Sequence, residues 1–466
     1  ADEALETPAP VAAKPKQEKK QARKPAEGIL QKTLARYTGS APKRDSISSR
    51  IVTRKLENGL TVNVLKEKVG SGTVAVGVAV KAGNYFEGND KQNLADVVAS
   101  MLPMGSEGLS KEALADKLTE MGVRSGLHIH VGPYVAQANV QVVSEDLTPF
   151  LALLSTVLRQ PAFDPAELDK VKLEWIGRYK QESAFPAAVA NNTLGNVLYR
   201  PGTMFYQKTH DEQMADLTTM TVDDLVAFHG AFYTPSSTLF TIVGDVEPDD
   251  AMAQVEAVYG AWTGPQAPAI VVPPPVVQGA QTVVKKMPDK PGVQIVLGSP
   301  LALKKSDPDF HAALVGMRVL GGDTLTARLG KKLREQGGLT YGVYTGQWDN
   351  SYGGAPWYIA LSVNATNVEP ALKMVGDIVR DFVANGITEA ELKTQINNMI
   401  GGHQLGLTTM FELADKIAEY SALGLSLDGI DTYASKLREL TVDAVNAAIK
   451  RHFDPSKLVT VIAGDV

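Results

Sequence analysis

The sequence predicts an α+β fold built from two tandem homologous domains, each a mostly antiparallel sheet flanked by helices. The first observation is an internal repeat, since TVD at 221–223 and FTIVGDV at 240–246 return as TVD at 441–443 and TVIAGDV at 460–466, always 220 positions later. This period is far longer than the roughly 20–50 residues of stacked repeats, so it indicates two duplicated globular domains. The second observation is that each copy mixes hairpin-type strands with groups of amphipathic helices, which is typical of a sheet covered by helices.

Composition excludes several classes of protein. The chain has 466 residues, of which 44% are hydrophobic, which is enough for two sizeable cores. Its net charge of −6 gives no basic footprint, so we expect no nucleic-acid partner. The lack of cysteine excludes disulfides, thiolate metal ligands and cysteine nucleophiles. No run of about 18 apolar residues occurs, so we expect no membrane span.

Residues 1–50 are rich in alanine, proline and lysine and poor in aromatic residues, which predicts a flexible tail. A solvated linker is the favoured interpretation, and contact with acidic lipid or with a partner is the alternative. The chain begins with alanine rather than methionine, which indicates either a removed secretory signal or an artificially shortened chain. The first of these, together with the tail and the lack of cysteine, predicts a periplasmic protein of a Gram-negative bacterium.

The first folded domain is predicted at 51–261. It opens with a hairpin around Asn58-Gly59, a residue pair favoured in two-residue turns. The segment TVAVGVAVKA at 73–82 predicts an interior strand because it is apolar on both faces. Amphipathic helices follow, and WTGPQAPAIVVPPPVVQGAQ at 262–281 then predicts an extended, semi-stiff linker to a second domain at 282–466.

Within the second domain, the stretch GGDTLTARLGKKLREQGGLTYGV at 321–343 places an arginine and a tyrosine around a helix-to-strand turn. Leucines at every fourth position predict a helix over 324–334, which the pair Gly337-Gly338 ends. The strand that follows is expected to place Tyr341 and Val343 on one face.

Arg334 and Tyr341 flank this turn and could therefore reach one point in space. A guanidinium is always charged and offers several planar donors, and a phenol offers one more. The pair thus suits a carbonyl oxygen that gains negative charge. The plainer interpretation is an arginine at a helix C-terminus and a tyrosine half-buried in a sheet.

The run that joins Gly321-Gly322, Ala327-Arg328-Leu329 and residues 333–343 resembles the second-domain signature of the pitrilysin and mitochondrial-processing-peptidase family. Members of that family are metallopeptidases whose zinc motif is inverted, H-x-x-E-H. The resemblance extends over nearly all of the chain after the tail and implies the family's pair of sheet-and-helix domains. It also implies that Arg334 and Tyr341 bind substrate and stabilise the tetrahedral intermediate.

The first domain departs from the family pattern at its zinc site. The motif is expected a few residues before Gly105-Ser106, where this chain has DVVAS. Asp96, Ala99 and Ser100 therefore stand where the family has histidine, glutamate and histidine. The resemblance also implies a later glutamate ligand, and Trp175 occupies that position. Since two imidazoles hold the metal and the motif's glutamate takes a proton from zinc-bound water, we expect no zinc in this chain.

Other catalytic motifs are not indicated. His128 and His130 are clustered in GLHIHVG, but two ligands without a partnered carboxylate favour a half-buried strand pair over a metal site. The sequence contains neither a G-x-S-x-G elbow nor a glycine-rich phosphate loop that ends in G-K-S/T.

The resemblance implies four such domains around a chamber, so a two-domain chain would be half of a peptidase. We therefore expect the non-zinc-binding subunit of a heterodimeric zinc metallopeptidase that degrades or processes peptides. A homologous partner subunit would carry H-x-x-E-H and the zinc, and Arg334 and Tyr341 would complete its active site, with no cofactor in this chain. The alternative is a catalytically inert structural or scaffold homologue.

Overall fold

The computed structural model describes residues 46–67, 72–88, 90–123, 126–273, 275, 279–290 and 292–466. Most of the predicted tail, residues 1–45, lies outside these ranges. From Ile47 onward the described residues form one compact unit. Both halves of the chain lie in this unit and contact each other within it.

The N-terminal half begins with a short helix and two strands. Its strands are β1 (Ile51–Lys55), β2 (Thr61–Lys66), β3 (Thr73–Val80), β4 (Gly105–Ser106), β5 (Leu109–Ser110), β6 (His130–Val131), β7 (Ala136–Val143) and β8 (Thr238–Gly244). Its helices are α1 (Ile47–Arg50), α2 (Leu94–Met101), α3 (Lys111–Glu120), α4 (Leu147–Arg159), α5 (Pro165–Glu182), α6 (Pro186–Leu198), α7 (His210–Thr219), α8 (Val222–Phe232) and α9 (Pro248–Tyr259).

The C-terminal half has a similar mixture of elements. Its strands are β9 (Thr282–Lys286), β10 (Gly292–Pro300), β11 (Thr340–Gln347), β12 (Pro356–Asn364) and β13 (Val459–Gly464). Its helices are α10 (Phe310–Gly321), α11 (Arg328–Gly330, continued by a π-helical stretch, Lys331–Gln336), α12 (Val368–Asn385), α13 (Glu389–Leu405), α14 (Met410–Ala422), α15 (Asp428–Arg438) and α16 (Val442–His452). None of the helices in the described ranges combines the length and the apolar content that a membrane span requires.

The two large sheets share one topology. The first has the strand order β1-β2-β8-β3-β7-β6, and all neighbours are antiparallel except β2 and β8. The second has the order β11-β12-β10-β13-β9, in which β13 and β9 form the one parallel pair. Read from the parallel pair, β2-β8-β3-β7-β6 and β9-β13-β10-β12-β11 use their strands in the same sequence order. The prediction of an α+β fold with two mostly antiparallel sheets flanked by helices is confirmed.

The two halves exchange helices. Helix α6 of the N-terminal half packs on β10 and β13, and helix α14 of the C-terminal half packs on β3 and β8. Leu194 of α6 lies in one apolar cluster with Val461, while Ile417 of α14 lies in another with Val243. All four side chains are fully buried. Each sheet therefore has one face covered by a helix from the other half, which explains why β3 is buried on both faces.

The segment predicted as an extended linker, 262–281, contains no helix or strand among its described residues. The Ser236 hydroxyl donates to the backbone oxygen of Pro265 at 3.1 Å and accepts from the backbone N–H of Ala267 at 2.8 Å. The Tyr85 hydroxyl donates to the backbone oxygen of Val271 at 3.0 Å and accepts from its N–H at 3.1 Å. The described part of this segment is thus anchored along the N-terminal half.

Candidate functional site

Arg334 and Tyr341 lie together on the surface of the C-terminal half. The guanidinium carbon of Arg334 is 5.0 Å from the centre of the Tyr341 ring, which is a cation–π distance. Tyr341 is 86% exposed and Arg334 is half-buried. The structure thus brings the two residues together, as their spacing predicts. The high exposure excludes the plainer interpretation of a tyrosine half-buried in the sheet.

Tyr341 and Val343 lie on opposite sides of β11, so the prediction that they share a face is wrong. Thr340 pairs with Val363 and Val343 pairs with Leu361, so two residues of β11 lie opposite one residue of β12. Such a β-bulge interrupts the regular alternation of side chains. As a result Val343 is fully buried while the Tyr341 ring points to solvent.

The helix before this strand is shorter than the predicted 324–334. The Asp323 carboxylate accepts hydrogen bonds from the backbone N–H groups two and three residues later, at 2.9 and 2.6 Å. This local turn competes with a helix start. Helix α11 begins at Arg328, and Leu325 is 58% exposed rather than in the core. The helical segment ends before Gly338, whose φ of +57° is the left-handed conformation that the glycine pair predicted.

An ion pair holds α11 against the rest of the C-terminal half. The Arg328 guanidinium donates to both carboxylate oxygens of Glu391, at 2.6 and 2.7 Å, and to the backbone oxygen of Gly386 at 2.8 Å. A bidentate pair of this kind fixes orientation as well as distance. Leu329 and Leu333 of the same segment are fully buried in the apolar cluster of the C-terminal half. The backbone that carries Arg334 is therefore firmly held.

The residues at the family's zinc-motif positions lie on α2 of the N-terminal half and do not fit a zinc ion. The Oδ2 atom of Asp96 accepts a hydrogen bond from Asn84 Nδ2 at 2.7 Å, and the Ser100 hydroxyl donates to the backbone oxygen of Asp96 at 2.8 Å. Ala99 has no donor atom. This set offers one carboxylate where zinc needs three or four ligands. Within the described ranges, no group of three His, Cys, Asp or Glu side chains is placed to hold a metal.

A cavity of about 600 Å³ lies beside Asp96. It is lined mainly by carboxylate, amide and aromatic side chains, which include Glu87 and Trp175. Trp175 stands at the position of the family's later zinc ligand, and the Arg178 guanidinium lies over its ring at 4.3 Å. An indole covered by a cation cannot take the place of a ligating carboxylate.

Glu87 and Asp96 form a carboxyl pair that sequence reasoning missed. Asn84 Nδ2 lies 2.7 Å from Asp96 Oδ2 and 3.4 Å from Glu87 Oε2, and the Ala95 N–H donates to Glu87 Oε2 at 3.2 Å. Burial and then the charge of Asp96 raise the pKa of Glu87 to about 8, and burial also raises the pKa of Asp96. The sequence feature that could have indicated this pair is Glu87 at the end of AGNYFE, nine residues before Asp96.

His128 and His130 do not form the expected half-buried strand pair. Both side chains are exposed, and His130 is the one of the two that lies in a described strand, at the start of β6. Leu127 and Ile129 are less exposed than the two histidines, so both imidazoles lie on the outer side of this segment.

The Arg334–Tyr341 pair lies in the C-terminal half, whereas the described residues that line the cavity beside Asp96 come from the N-terminal half except for Trp348. Neither Arg334 nor Tyr341 is among the described residues that line this cavity. The fold therefore does not combine the two groups into one site within the described part of this chain.

Comparison with known proteins identifies the family. The family model described as "Insulinase (Peptidase family M16)" matches residues 62–203, and that described as "Peptidase M16 inactive domain" matches residues 219–399. The non-peptidase homolog YmxG of Helicobacter pylori is 22% identical over 389 residues, which cover 83% of this chain and 88% of that protein.

Solved structures show the same fold. The peptidase M16 inactive domain from Pseudomonas fluorescens superposes with a TM-score of 0.82 at 25% identity, covering 89% of this chain and 98% of that one. The periplasmic protease PqqL from Escherichia coli superposes with a TM-score of 0.70 at 13% identity, covering 91% of this chain and 48% of PqqL. The chain therefore belongs to peptidase family M16, as the segment around Arg334 and Tyr341 predicted.

Proposed function

We propose that this protein is the non-zinc-binding subunit of a heterodimeric zinc metallopeptidase, and that it supplies Arg334 and Tyr341 to an active site whose zinc is held by a partner chain. The observation that carries the proposal is an asymmetry between the two halves. The Arg334 guanidinium lies 5.0 Å from the centre of the Tyr341 ring, and that ring is open to solvent. The four family zinc positions, in contrast, offer a single carboxylate.

The pair suits the oxyanion of peptide hydrolysis. When water attacks a peptide carbonyl, negative charge develops on its oxygen, and preorganised donors aimed at that oxygen lower the barrier. Arg334 offers several planar N–H donors, and the Tyr341 hydroxyl offers one more. Contact with the ring restricts the guanidinium before substrate arrives, which reduces the reorganisation that the reaction requires.

The partner would be a homologous M16 chain that carries H-x-x-E-H and binds zinc. This chain spans nearly all of the Pseudomonas fluorescens domain but 48% of PqqL, so two such chains would supply four domains. The shared strand order of the two sheets supports an origin by tandem duplication, with domains at 51–261 and 282–466 and a linker at 262–281. Peptides are the proposed substrates, and the periplasm, the compartment in which PqqL is named, is the proposed location.

A scaffold role is the second candidate, because YmxG of Helicobacter pylori is named a non-peptidase homolog. In that case the chain would assemble with a partner without taking part in catalysis, and the contact between Arg334 and Tyr341 would serve the fold. The high exposure of Tyr341 favours the catalytic role, since a structural tyrosine stabilises a fold mainly through burial of its ring.

Peptidase activity on a quenched fluorescent peptide tests the proposal. This chain, the H-x-x-E-H homologue from the same genome and their mixture would be assayed with added zinc. We expect the mixture to cleave much faster than either chain alone. A stable complex that cleaves no faster than the homologue alone would favour the scaffold, and cleavage by this chain alone would contradict the interpretation of its zinc positions.

A further inference from the structure

We infer that Thr340 is a positioning residue for Tyr341, because its hydroxyl holds the β-bulge that turns the Tyr341 ring out of the sheet and onto Arg334. The inference rests on the proposed function and adds a residue to the same site. Thr340 is the first residue of β11 and is 8% exposed. Its hydroxyl is therefore largely shielded from water, and its hydrogen bonds are made within the protein.

The bulge decides where the Tyr341 phenol points. In a regular strand Tyr341 would share a face with Val343, which is fully buried in the C-terminal apolar cluster. The ring would then be directed into the core and away from Arg334. Instead, Tyr341 and Gly342 together lie opposite the single residue Ser362. The extra residue lets Thr340 and Val343 both face inward while Tyr341 faces solvent.

The Thr340 hydroxyl occupies the break that the bulge makes in the backbone ladder. Its Oγ1 atom lies 2.6 Å from the backbone oxygen of Ser362 on β12 and 2.8 Å from that of Gly342, and it can donate to either. The Gly342 N–H donates back to Oγ1 at 3.2 Å. A bulge leaves backbone groups without their regular partners, and burial without a partner is costly. The hydroxyl supplies those partners on both strands and so favours the bulged register.

Loss of the hydroxyl should therefore act on Tyr341 and leave Arg334 in place. Arg334 lies on the helical segment that begins at Arg328, and the ion pair between Arg328 and Glu391 holds that segment without involving the Thr340 hydroxyl. Without the Thr340 hydroxyl, β11 would favour a more regular register, and the Tyr341 ring would leave its position 5.0 Å from the guanidinium. One of the two oxyanion donors would then be misplaced.

Three variants test this in the complex with the zinc-bearing homologue, with the quenched peptide as probe. Thr340→Val removes the hydroxyl and keeps the shape, whereas Thr340→Ser keeps the hydroxyl. Thr345→Val is the matched control, because the Thr345 hydroxyl on the same strand donates to the backbone oxygen of Met317 at 2.8 Å, outside the bulge. Loss of one oxyanion donor typically lowers kcat by about 10²–10³-fold, and a misplaced donor should lose part of that effect. We therefore expect Thr340→Val to lower kcat by about 10–10²-fold with little change in KM. Thr340→Ser and Thr345→Val should retain activity.

A double variant separates positioning from a general effect on stability. If Thr340 acts through Tyr341, Thr340→Val should change kcat by less than about twofold in a Tyr341→Phe background. Loss of activity in Tyr341→Phe with full activity in Thr340→Val would overturn the positioning role alone. Full activity in both would overturn the shared site and this inference with it, and equal losses in both backgrounds would show that Thr340 acts independently of Tyr341.

Discussion

Arg334 and Tyr341 contact each other on the surface rather than in a core. Tyr341 is 86% exposed and is not part of the apolar cluster of the C-terminal half. Aromatic residues stabilise a fold mainly by the apolar area that they bury, so this ring contributes little to stability. Substitution of either residue should consequently affect function without affecting folding.

Arg334→Ala and Tyr341→Phe should each lower turnover by the reconstituted complex about 10²–10³-fold, because each removes one donor from the developing oxyanion. Assembly should be unaffected, since both changes are at the surface. The measurements are kcat on the quenched peptide and complex formation by size-exclusion chromatography. Lys332→Ala is the matched control, an exposed cation two residues from Arg334 that should have no effect. Unchanged turnover in both site variants would exclude the shared active site.

Glu87 should make the protein less stable as pH rises. Its pKa is raised from 4.5 to about 8 by burial and then by the charge of Asp96, so the folded state holds this proton more tightly than the unfolded state. The stability that the protonated carboxyl contributes is fully present below pH 4.5 and is lost as pH rises through about 8. Within that interval the free energy of unfolding should fall steadily as pH rises, because the unfolded state releases this proton before the folded state does.

Glu87→Gln, which cannot ionise, should remove this contribution to the pH dependence. Its urea-unfolding midpoint should exceed that of the wild type at about pH 8.5 and approach it at about pH 5.5. Glu145→Gln is the matched control, because Glu145 is exposed. Midpoints that change in parallel with pH in Glu87→Gln and the wild type would contradict the raised pKa.

At the scale of elements, the exchanged helices contribute to the core of the opposite half. Ile417 of α14 is fully buried in a cluster with Leu65, Ala75 and Val243 of the N-terminal sheet. Leu194 of α6 packs closely on the C-terminal sheet at Gly298, where a Cβ atom added to the glycine would lie 2.8 Å from a Leu194 methyl carbon. Each of the two helices therefore covers one face of the sheet that the other half of the chain forms.

Ile417→Ala should destabilise the protein by about 2–5 kcal/mol, because it removes buried apolar groups and leaves a cavity between α14 and the sheet. Chemical denaturation measures the change. Leu405→Ala is the comparison: Leu405 is 69% exposed, and its loss should cost less than about 0.5 kcal/mol. Similar midpoints for the two variants would show that the packing of α14 on the N-terminal sheet contributes little.

The sequence predicts the helices and strands and their repetition better than it predicts which helix packs on which sheet. The repeat of TVD and GDV at a fixed offset indicated two similar halves, and both sheets indeed share one strand order. An amphipathic pattern shows which face of α6 or α14 is apolar but not which sheet covers it, so the exchange was not foreseen. At β11, alternation placed Tyr341 with Val343, and the bulge that separates them depends on pairing with β12.

In the candidate site, too, contacts between residues close in sequence could be predicted, whereas contacts that depend on tertiary packing could not. Arg334 and Tyr341 are seven residues apart, so a helix, a glycine stop and a strand were enough to predict that they meet. The carboxyl pair of Glu87 and Asp96 depends on how the turn after β3 packs against α2, and Asn84 joins the two only in the folded chain. The run AGNYFE supplies Glu87 as a candidate carboxylate, but no local pattern encodes its contact with Asp96.

For the whole molecule, the exchange couples the two halves mechanically. Separation of the halves would expose the apolar face of α6 together with that of α14 and uncover one face of each sheet. Apolar area costs roughly 25 cal/mol per Å² to expose, so this chain resists opening along its internal boundary. A chamber formed with a zinc-bearing partner would accordingly open between the two chains.

Neither half should fold stably alone. A fragment over 46–261 would expose the apolar face of α6 and lack α14 over β3 and β8, and a fragment over 282–466 would have the reciprocal defect. We expect no cooperative urea transition for either fragment by circular dichroism. When expressed together, the fragments should form one complex with a single transition, because each provides the helix that the other lacks. The length of each half would by itself suggest an independent domain. A cooperative transition of either fragment alone would support that view, and it would mean that the exchanged helices add contact area without being required for folding.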